Sequence, residues 1–294
     1  MRFDVMTGRT VNLTWWSHSK TVALIWLISA FFFYTLFQMA LRNSSETLSS
    51  NSSDSPNLNT EQRSKLYDKM ARDLDEHGAA FMKHGETSQS LTISDIFTVK
   101  DGYVTPVLKA ANPPVRANIL YLSTEFSVPI AEAVKSIFSP HFEKAIWFQN
   151  STMYHFSMFH ASHHIVPVPA SKEEIEVEAS SVKAVAAMLC PLKIVLDRVV
   201  LTSTGVLLGC WQYDASILHT TFARLLGPSS TKERLETSDD VQFFHELVNR
   251  LNNQIHGFKA VVSELWYVEE YDVLALALNG RMNVRKFKLG CSRD

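Results

Sequence analysis

The chain has 294 residues, of which 46% are hydrophobic and 20% charged, and its formal net charge is -2. This composition excludes a wholly disordered chain, a collagen-like repeat and a disulfide-rich miniprotein. The near-neutral charge also argues against nucleic-acid binding by bulk electrostatics. The mean hydropathy of -0.02 averages over one very apolar segment and one very polar segment.

The most apolar part of the chain is residues 21–40, which contain no Asp, Glu, Lys or Arg. Twenty helical residues extend about 30 Å, the thickness of a bilayer core, so this segment is predicted to be a transmembrane signal anchor. Three basic residues precede the segment and one follows it closely: Arg2, Arg9 and Lys20, then Arg42. This bias predicts that residues 1–20 form a cytosolic tail. The alternative is a cleaved signal peptide.

The predicted orientation makes the chain a type II single-pass membrane protein of the Golgi or another endomembrane, with the rest of the chain on the lumenal side. Residues 41–60 are dominated by Ser, Asn and Thr, and we expect them to form a flexible stem. Three sequons on the lumenal side make Asn43, Asn51 and Asn150 candidate glycosylation sites.

Residues 61–90 are predicted to form a stem helix and a linker. The helix covers residues 61–77 after Thr60 as its N-cap, and its apolar positions recur at i+4, which favours packing on the following domain: Leu66, Met70 and Leu74. The run Asp73-Leu74-Asp75 resembles the DxD metal site of many Golgi glycosyltransferases. On a helix the two carboxylates point about 200° apart, so we expect a solvated face rather than chelation of one ion.

Residues 91–294 are predicted to form the main domain, which begins with an extended or irregular stretch over 91–114. The predicted strands are 117–123, a strand-turn-strand over 145–160, a hairpin of 193–202 and 205–213, then 216–226, 259–269, 271–278 and 284–289. The predicted helices are 129–138, opened by Pro129, then 171–190 and 230–256. This succession implies an antiparallel α+β fold.

Cysteines give little guidance to the chemistry of this domain. The chain has three of them, Cys190, Cys210 and Cys291, which allow at most one disulfide, and the sequence leaves the pairing open. Their spacing matches no zinc motif, and no metal or cofactor is predicted.

Two of the β-rich runs share a pattern of histidine, any residue, hydroxyl residue and apolar residue. The runs are His155-Phe156-Ser157-Met158 and His219-Thr220-Thr221-Phe222. Residues i and i+2 of a strand point to the same face, so each run presents an imidazole beside a hydroxyl. Two such strands in paired positions could place two imidazoles across one cleft.

This arrangement suits the cleavage of a phosphate ester without a metal ion. A neutral histidine removes a proton from the attacking hydroxyl or water, and a protonated histidine donates one to the leaving oxygen. An ordinary pKa near 6.5 makes both states accessible at neutral pH. The hydroxyls of Ser157 and Thr221 would bind the non-bridging phosphate oxygens.

The paired motifs resemble those of the two-histidine (2H) phosphoesterase superfamily, which includes RNA ligase-like proteins and cyclic nucleotide phosphodiesterases. The second run, Ile217-Leu218-His219-Thr220-Thr221-Phe222-Ala223-Arg224, is similar to the family's strand ending in His-x-Thr-Leu-Ala-Arg. The resemblance covers residues 117–289. It implies a two-lobed antiparallel α+β domain behind the transmembrane helix, with His155 and His219 as the catalytic pair and Ser157 and Thr221 as phosphate-binding residues.

The function predicted in this way is metal-independent hydrolysis of a cyclic nucleotide or an RNA-end-like phosphate ester. Two alternatives are a catalytically inactive lumenal binding domain and a Golgi glycosyltransferase. The substrate is a small phosphate ester or nucleotide, and no protein partner is indicated. Five other histidines are expected on surfaces or helix faces: His160, His163, His164, His245 and His256. Arg224 is expected to alternate onto the strand's other face, as a strand-end or phosphate-proximal charge.

Overall fold

The computed structural model describes residues 56–83, 91–100, 103–142, 144–213, 216–227 and 237–291. The predictions for the cytosolic tail, the membrane segment, the sequons at Asn43 and Asn51 and nearly all of the stem lie outside these residues. Within the described residues, no helix is long and apolar enough to cross a membrane.

By its internal contacts the chain divides into two units, Met1–Asn57 and Leu58–Asp294. The first unit contains only two described residues, which begin the first helix. The described residues contain six α-helices: α1 (Pro56–His77), α2 (Ile93–Ile96), α3 (Thr124–Phe142), α4 (Lys172–Met188), α5 (Thr237–Ile255) and α6 (Ala275–Leu278).

Eleven strands accompany these helices in the described part of the chain. They are β1 (Phe97–Lys100), β2 (Tyr103–Pro106), β3 (Ala110–Tyr121), β4 (Ile146–Phe148), β5 (His155–Ser162), β6 (Leu192–Leu201), β7 (Val206–Tyr213), β8 (Ser216–Leu225), β9 (Lys259–Val262), β10 (Glu264–Asp272) and β11 (Met282–Lys288). All pairings are antiparallel. The predicted antiparallel α+β class is therefore confirmed.

The strands form a β1–β2 hairpin and two larger sheets. One sheet has four strands in the order β11-β10-β3-β5, and the other has five in the order β4-β8-β7-β6-β9. Each larger sheet turns a face toward one shared core with α3 and α5: Leu120, Phe156, Leu207, Phe222, Phe138 and Phe244. Each fully buried side chain of this size stabilises the fold by about 2–3 kcal/mol.

The hairpin between β6 and β7 is confirmed, and it depends on Gly205. This residue has φ +79°, a conformation that side chains with a Cβ rarely adopt. A Cβ there would also overlap the carbonyl oxygen of Leu225 and approach the ring of Phe81. Glycine is therefore required by both the turn and the packing around it.

Residues 91–114 were predicted to be extended or irregular, and the strands in this segment agree with that prediction, whereas the short helix α2 was not predicted. This segment contains α2, the β1–β2 hairpin and the first half of β3, which runs through Pro113 and Pro114. The pairing of β3 with β10 is interrupted there, between Glu270 and Asp272. Proline is tolerated at such an interruption because the missing N–H has no ladder partner to bond.

Three further boundaries differ from the prediction, and one of them is the strand predicted over 259–269, which is divided into β9 and β10 of different sheets. Helix α3 begins at Thr124 and contains Pro129 inside it, whereas proline was expected to open the helix. The predicted strand over 271–278 was wrong, because β10 ends at Asp272 and the chain continues into α6. Leu274 has φ 59° at this point, and Asp272 accepts hydrogen bonds from the backbone and side chain of Arg281. These contacts close a tight turn in place of a strand.

Helix α1 packs on the domain, as its apolar stripe predicted, and Leu74 is buried. It begins at Pro56 rather than after Thr60, which agrees with the preference for proline in a first turn. The side chains of Asp73 and Asp75 are 37% and 51% exposed, as expected for a solvated face, but each also has a partner in the domain. Asp73 accepts hydrogen bonds from the backbone N–H and the hydroxyl of Ser203, and Asp75 lies 2.6 Å from Nε2 of His245.

The two carboxylates diverge as the helical spacing predicts, and each binds a different part of the domain. Among the described residues, no group of three or more His, Cys, Asp or Glu side chains is placed to hold a metal ion. The DxD run therefore anchors the helix. His245 lies on a face of helix α5, as expected, and its ring binds Asp75 of α1.

A disulfide joins Cys190, just after α4, to Cys291, just after β11. Cys210 is the free cysteine and is buried in β7. The structure thus selects one of the three pairings that the sequence left open. Because the bonded residues lie 101 positions apart, the bridge ties the C-terminal segment back to the middle of the domain.

Candidate functional site

The two histidine motifs lie on strands, as the sequence pattern predicted, and these strands belong to different sheets. His155 and Ser157 lie at the start of β5, which is an edge strand of the four-stranded sheet. His219 and Thr221 lie in the middle of β8, inside the five-stranded sheet. The intervening residues point the other way, since Phe156 and Thr220 are each 1% exposed.

One cleft of about 340 Å³ is lined by both motifs: His155, Ser157, His219 and Thr221. Strands β5 and β8 contact each other, so the two sheets meet where the motifs lie. Behind the cleft the rings of Tyr154 and Phe222 stack with centroids 5.5 Å apart. Neither hydroxyl of the two motifs has a hydrogen-bond partner among the described residues, so both are free to bind a ligand.

A β-bulge on each strand adds one more basic side chain to the cleft. On β8, Thr221 pairs with Leu208 and Ala223 with Leu207, so Phe222 is the extra residue. The extra residue reverses the alternation of faces, and Arg224 therefore joins His219 and Thr221 in lining the cleft. The prediction that Arg224 alternates onto the other face was wrong for this reason.

The bulge on β5 has the same relation to its motif. Ser157 pairs with Ile119 and Phe159 with Asn118, which leaves Met158 unpaired. His160 consequently returns to the face of His155 and lines the cleft. His160 was expected to be a surface or helix-face histidine, and it is exposed, but its place in the cleft lining was not anticipated. Each strand thus presents a histidine, a hydroxyl two residues later and a cationic or imidazole side chain three residues after that.

The bulge on β8 is built into the packing of the sheet. Gly209 lies on β7 opposite the bulged segment, and a Cβ at this position would overlap the ring of Phe222. Phe222 is fully buried in the shared core. A glycine on the neighbouring strand therefore allows the phenyl ring to enter the core while Arg224 points to the cleft.

Hydrogen bonding and burial determine the protonation state of His155. Its Nδ1 lies 2.8 Å from the carbonyl oxygen of Met153, so Nδ1 carries a proton and Nε2 is left to face a ligand. Burial lowers the pKa of His155, and positive charge on His219 or His160 lowers it further, although the bond to Met153 acts in the opposite direction. His155 is therefore predisposed to be neutral.

The other basic groups of the cleft are also partly desolvated. Burial lowers the pKa of His219, and burial together with the charges of His163 and His164 lowers that of His160. Burial also lowers the pKa of the Arg224 guanidinium, which nevertheless stays protonated in the accessible pH range. The side chain of Arg224 has no ion pair or hydrogen bond to any described residue. An unpaired cation in such a cleft favours an anionic ligand.

One acidic residue, Glu270 of β10, also lines the cleft and was not anticipated. Its side chain is buried, and Oε1 accepts a hydrogen bond of 2.6 Å from the backbone N–H of Leu276. The side-chain amide of Gln149 donates a hydrogen bond to the carbonyl oxygen of Leu276. Burial raises the pKa of Glu270 to about 7. The carboxyl has no cationic partner among the described residues, unlike the neighbouring buried Asp272, which pairs with Arg281.

Three residues of the cleft were not predicted from the sequence: His160, Arg224 and Glu270. His160 and Arg224 each follow the motif histidine by five positions, so the shared spacing was a signal that could have been read. Glu270 closely follows the buried apolar run 265–268 of β10, where a carboxylate without a cationic neighbour is costly to bury. The unfavourable burial of this carboxylate was a second signal that Glu270 belongs to a functional site.

The remaining candidates lie outside the cleft. Asn150 precedes a 3-10 turn, and its Oδ1 accepts hydrogen bonds from the backbone and hydroxyl of Thr152, so its Nδ2 stays available for a glycan. His163 and His164 lie in the loop after β5 with ring centroids 4.3 Å apart. His256 lies after α5 and bonds the carbonyl oxygen of Asp197.

No family model matches the chain, and no curated protein matches it in sequence. Nine chains of solved structures are similar to it, among them the following two. One is TT0787 of Thermus thermophilus, with a TM-score of 0.40 and 13% identity over 60% of this chain and 97% of that chain. The other is ATU0111 of Agrobacterium tumefaciens str. C58, a conserved protein of unknown function, with a TM-score of 0.40 and 8% identity over 60% of this chain and 86% of that chain. Similarities of this size identify neither a family nor an activity.

Proposed function

We propose that the protein is a metal-independent phosphodiesterase of the 2H type, acting on a cyclic nucleotide or an RNA-end-like phosphate ester. The observation that carries the proposal is the pair of imidazoles, from separate sheets, that line one cleft with two unpaired hydroxyls. The cleft volume of about 340 Å³ lies at the small end of ligand pockets and favours a compact substrate over a long polymer.

In this reaction water attacks the phosphorus atom of a 2′,3′-cyclic phosphate. Nε2 of neutral His155 removes a proton from the water, and protonated His219 donates a proton to the leaving ribose oxygen. One P–O bond forms and one breaks, so the product is a ribonucleoside monophosphate. His155 is assigned as the base because burial and the charge of His219 both disfavour its protonated form.

Three side chains are proposed to bind the phosphate oxygens. The hydroxyls of Ser157 and Thr221 donate hydrogen bonds to the non-bridging oxygens, and the Arg224 guanidinium supplies a positive charge. Donors that are fixed before the reaction stabilise the charge that develops on phosphate in the transition state. Arg224 suits this role because no described carboxylate neutralises it.

The cellular setting is a further part of the proposal. Residues 21–40 anchor the chain in the bilayer as a type II protein, and the two-lobed catalytic domain faces the lumen of the Golgi or another endomembrane. The disulfide between Cys190 and Cys291 supports this orientation, because such bridges persist in oxidising compartments. Treatment with peptide-N-glycosidase should shift the gel mobility of the cellular protein, and an unchanged mobility would argue against lumenal glycosylation.

The experiment for the activity uses the full chain purified in detergent. It is incubated with a 2′,3′-cyclic nucleotide in the presence of EDTA, and the monophosphate is separated by chromatography. We expect product without added metal. A double variant, His155→Ala with His219→Ala, provides the inactive control, and His256→Ala changes a histidine outside the cleft.

Loss of activity in EDTA that added metal restores would contradict a metal-independent reaction. An absence of turnover on cyclic and linear phosphodiesters, with phosphate still bound, would favour an inactive lumenal binding domain. Transfer of sugar from a nucleotide donor would favour the glycosyltransferase alternative.

A further inference from the structure

Helix α1 covers part of the sheet face that carries the second motif. Val200, Leu208 and Cys210 form a buried cluster on that face, and Met70 of the helix packs against it. The register of β7 and β8 pairs Cys210 with His219 and Leu208 with Thr221. Residues paired in this way share a face, so the helix lies beside the catalytic positions.

Polar contacts on both sides of Met70 fix the helix in this position. Before it, Asp68 forms an ion pair of 2.7 Å with Arg198 of β6. After it, Asp73 accepts a hydrogen bond of 3.0 Å from the backbone N–H of Ser203. Leu74 is 1% exposed. These contacts, before and after Met70 in the helix, hold its side chain against the sheet.

The side chain of Met70 lines the same cleft as the two motifs. Val206 and Leu208 of β7 pack in the same cluster as Met70 and also line the cleft, and Leu274 and Leu276, at the start of α6, add to its apolar lining. The cleft thus combines a polar group of histidines, hydroxyls and Arg224 with an apolar lining. The thioether of methionine is flexible and polarisable, and it makes favourable contacts with aromatic rings.

We propose that Met70 is a specificity-determining residue, which packs against the non-reacting group of the substrate and favours phosphodiesters that carry an aromatic or apolar group. The proposal rests on the proposed function, because the same cleft must hold the phosphate. It makes the helix that precedes the domain a part of the substrate site. It assigns no chemical step to Met70.

Binding measurements test this role independently of turnover. Calorimetric titration of the full chain in detergent compares inorganic phosphate with adenosine 2′-monophosphate. Replacing Met70 by alanine should weaken nucleotide binding about tenfold and change phosphate binding less than about twofold. Only the nucleotide carries a nucleoside group that would contact the side chain at position 70. Met70→Leu keeps most of the apolar volume and should stay close to the unchanged protein. Lys69→Ala, on the exposed side of the same helix, is the matched control.

Equal weakening of both probes by Met70→Ala would overturn the proposal, since it would mean that the helix had shifted as a whole. Unchanged nucleotide binding in that variant, or an unchanged protein that binds the nucleotide no tighter than phosphate, would overturn it as well. Nucleotide binding that depends on Met70 in a protein without turnover would support this inference while contradicting the proposed hydrolysis.

Discussion

Replacing Glu270 by glutamine tests whether the cleft contains a desolvated carboxyl group. Glutamine keeps the oxygen that accepts the hydrogen bond from the backbone N–H of Leu276, and it removes only the titratable proton. Burial raises the pKa of Glu270 from an ordinary value of 4.5 to about 7. The folded protein therefore keeps this proton to a higher pH than the unfolded chain does.

The sign of the effect on stability follows from this order of pKa values. The stabilisation that protonated Glu270 provides is fully present below pH 4.5 and is lost as the pH rises through about 7. The difference of about 2.5 pH units between the two values corresponds to a loss of about 3 kcal/mol between pH 4 and pH 8. The glutamine variant has no such loss from this position.

The assay is urea unfolding of both proteins at a series of pH values, and the quantity of interest is the difference between their free energies of unfolding. Titrating groups other than Glu270 are common to both proteins and cancel in this difference. We expect the variant to gain about 3 kcal/mol relative to the unchanged protein between pH 4 and pH 8. A difference that stays constant over this range would refute a buried, desolvated Glu270.

Three further predictions concern the stability of the domain and the chemistry of the cleft. Replacing Cys190 and Cys291 by serine should lower the free energy of unfolding by about 4–5 kcal/mol in a denaturant titration, because the bridge closes a loop of about 100 residues. Gly209→Ala should cost about 1–3 kcal/mol of stability and lower kcat at least about tenfold, because the added methyl group displaces Phe222 and the bulge beside it. The pH profile of kcat/KM should be bell-shaped with its maximum below 6.5, because burial lowers the pKa of both catalytic histidines.

Each of these three predictions has its own contradicting result. A reducing agent should destabilise the unchanged protein but have no effect on the double serine variant, and equal effects on both would argue against the disulfide. Full activity of Gly209→Ala would show that the bulge does not position the cleft residues. A profile of kcat/KM that rises steadily from pH 5 to pH 8 would contradict an essential protonated histidine.

Much of the fold was predictable because it follows from local patterns. The hairpin of β6 and β7 has β-branched runs around a turn that requires Gly205, and helix α5 repeats its apolar residues at helical spacing. The errors occur where long-range contacts decide the conformation. The chain turns after Asp272 because a side chain nine residues away, Arg281, completes the turn.

The candidate site was also predictable where a local pattern decides the position of a side chain, and not where tertiary contacts decide it. The alternation of a strand was enough to predict that His155 and Ser157 share a face, and likewise His219 and Thr221. Arg224 could not be placed in this way, because its orientation depends on a bulge that a single residue on the neighbouring strand permits. Met70 lies about 150 positions before His219, and only the tertiary packing of α1 brings it to the cleft.

The central claim is that two histidines from separate strands act together on one phosphate. It is tested most directly by kcat/KM for 2′,3′-cyclic nucleotide hydrolysis in His155→Ala and His219→Ala, compared with His256→Ala. We expect each cleft variant to lose about 10²–10⁴-fold, with unchanged thermal unfolding, because each removes a proton-transfer group. Activity of His219→Ala within about tenfold of the unchanged protein would contradict the account, since that loss is too small for an essential acid or base.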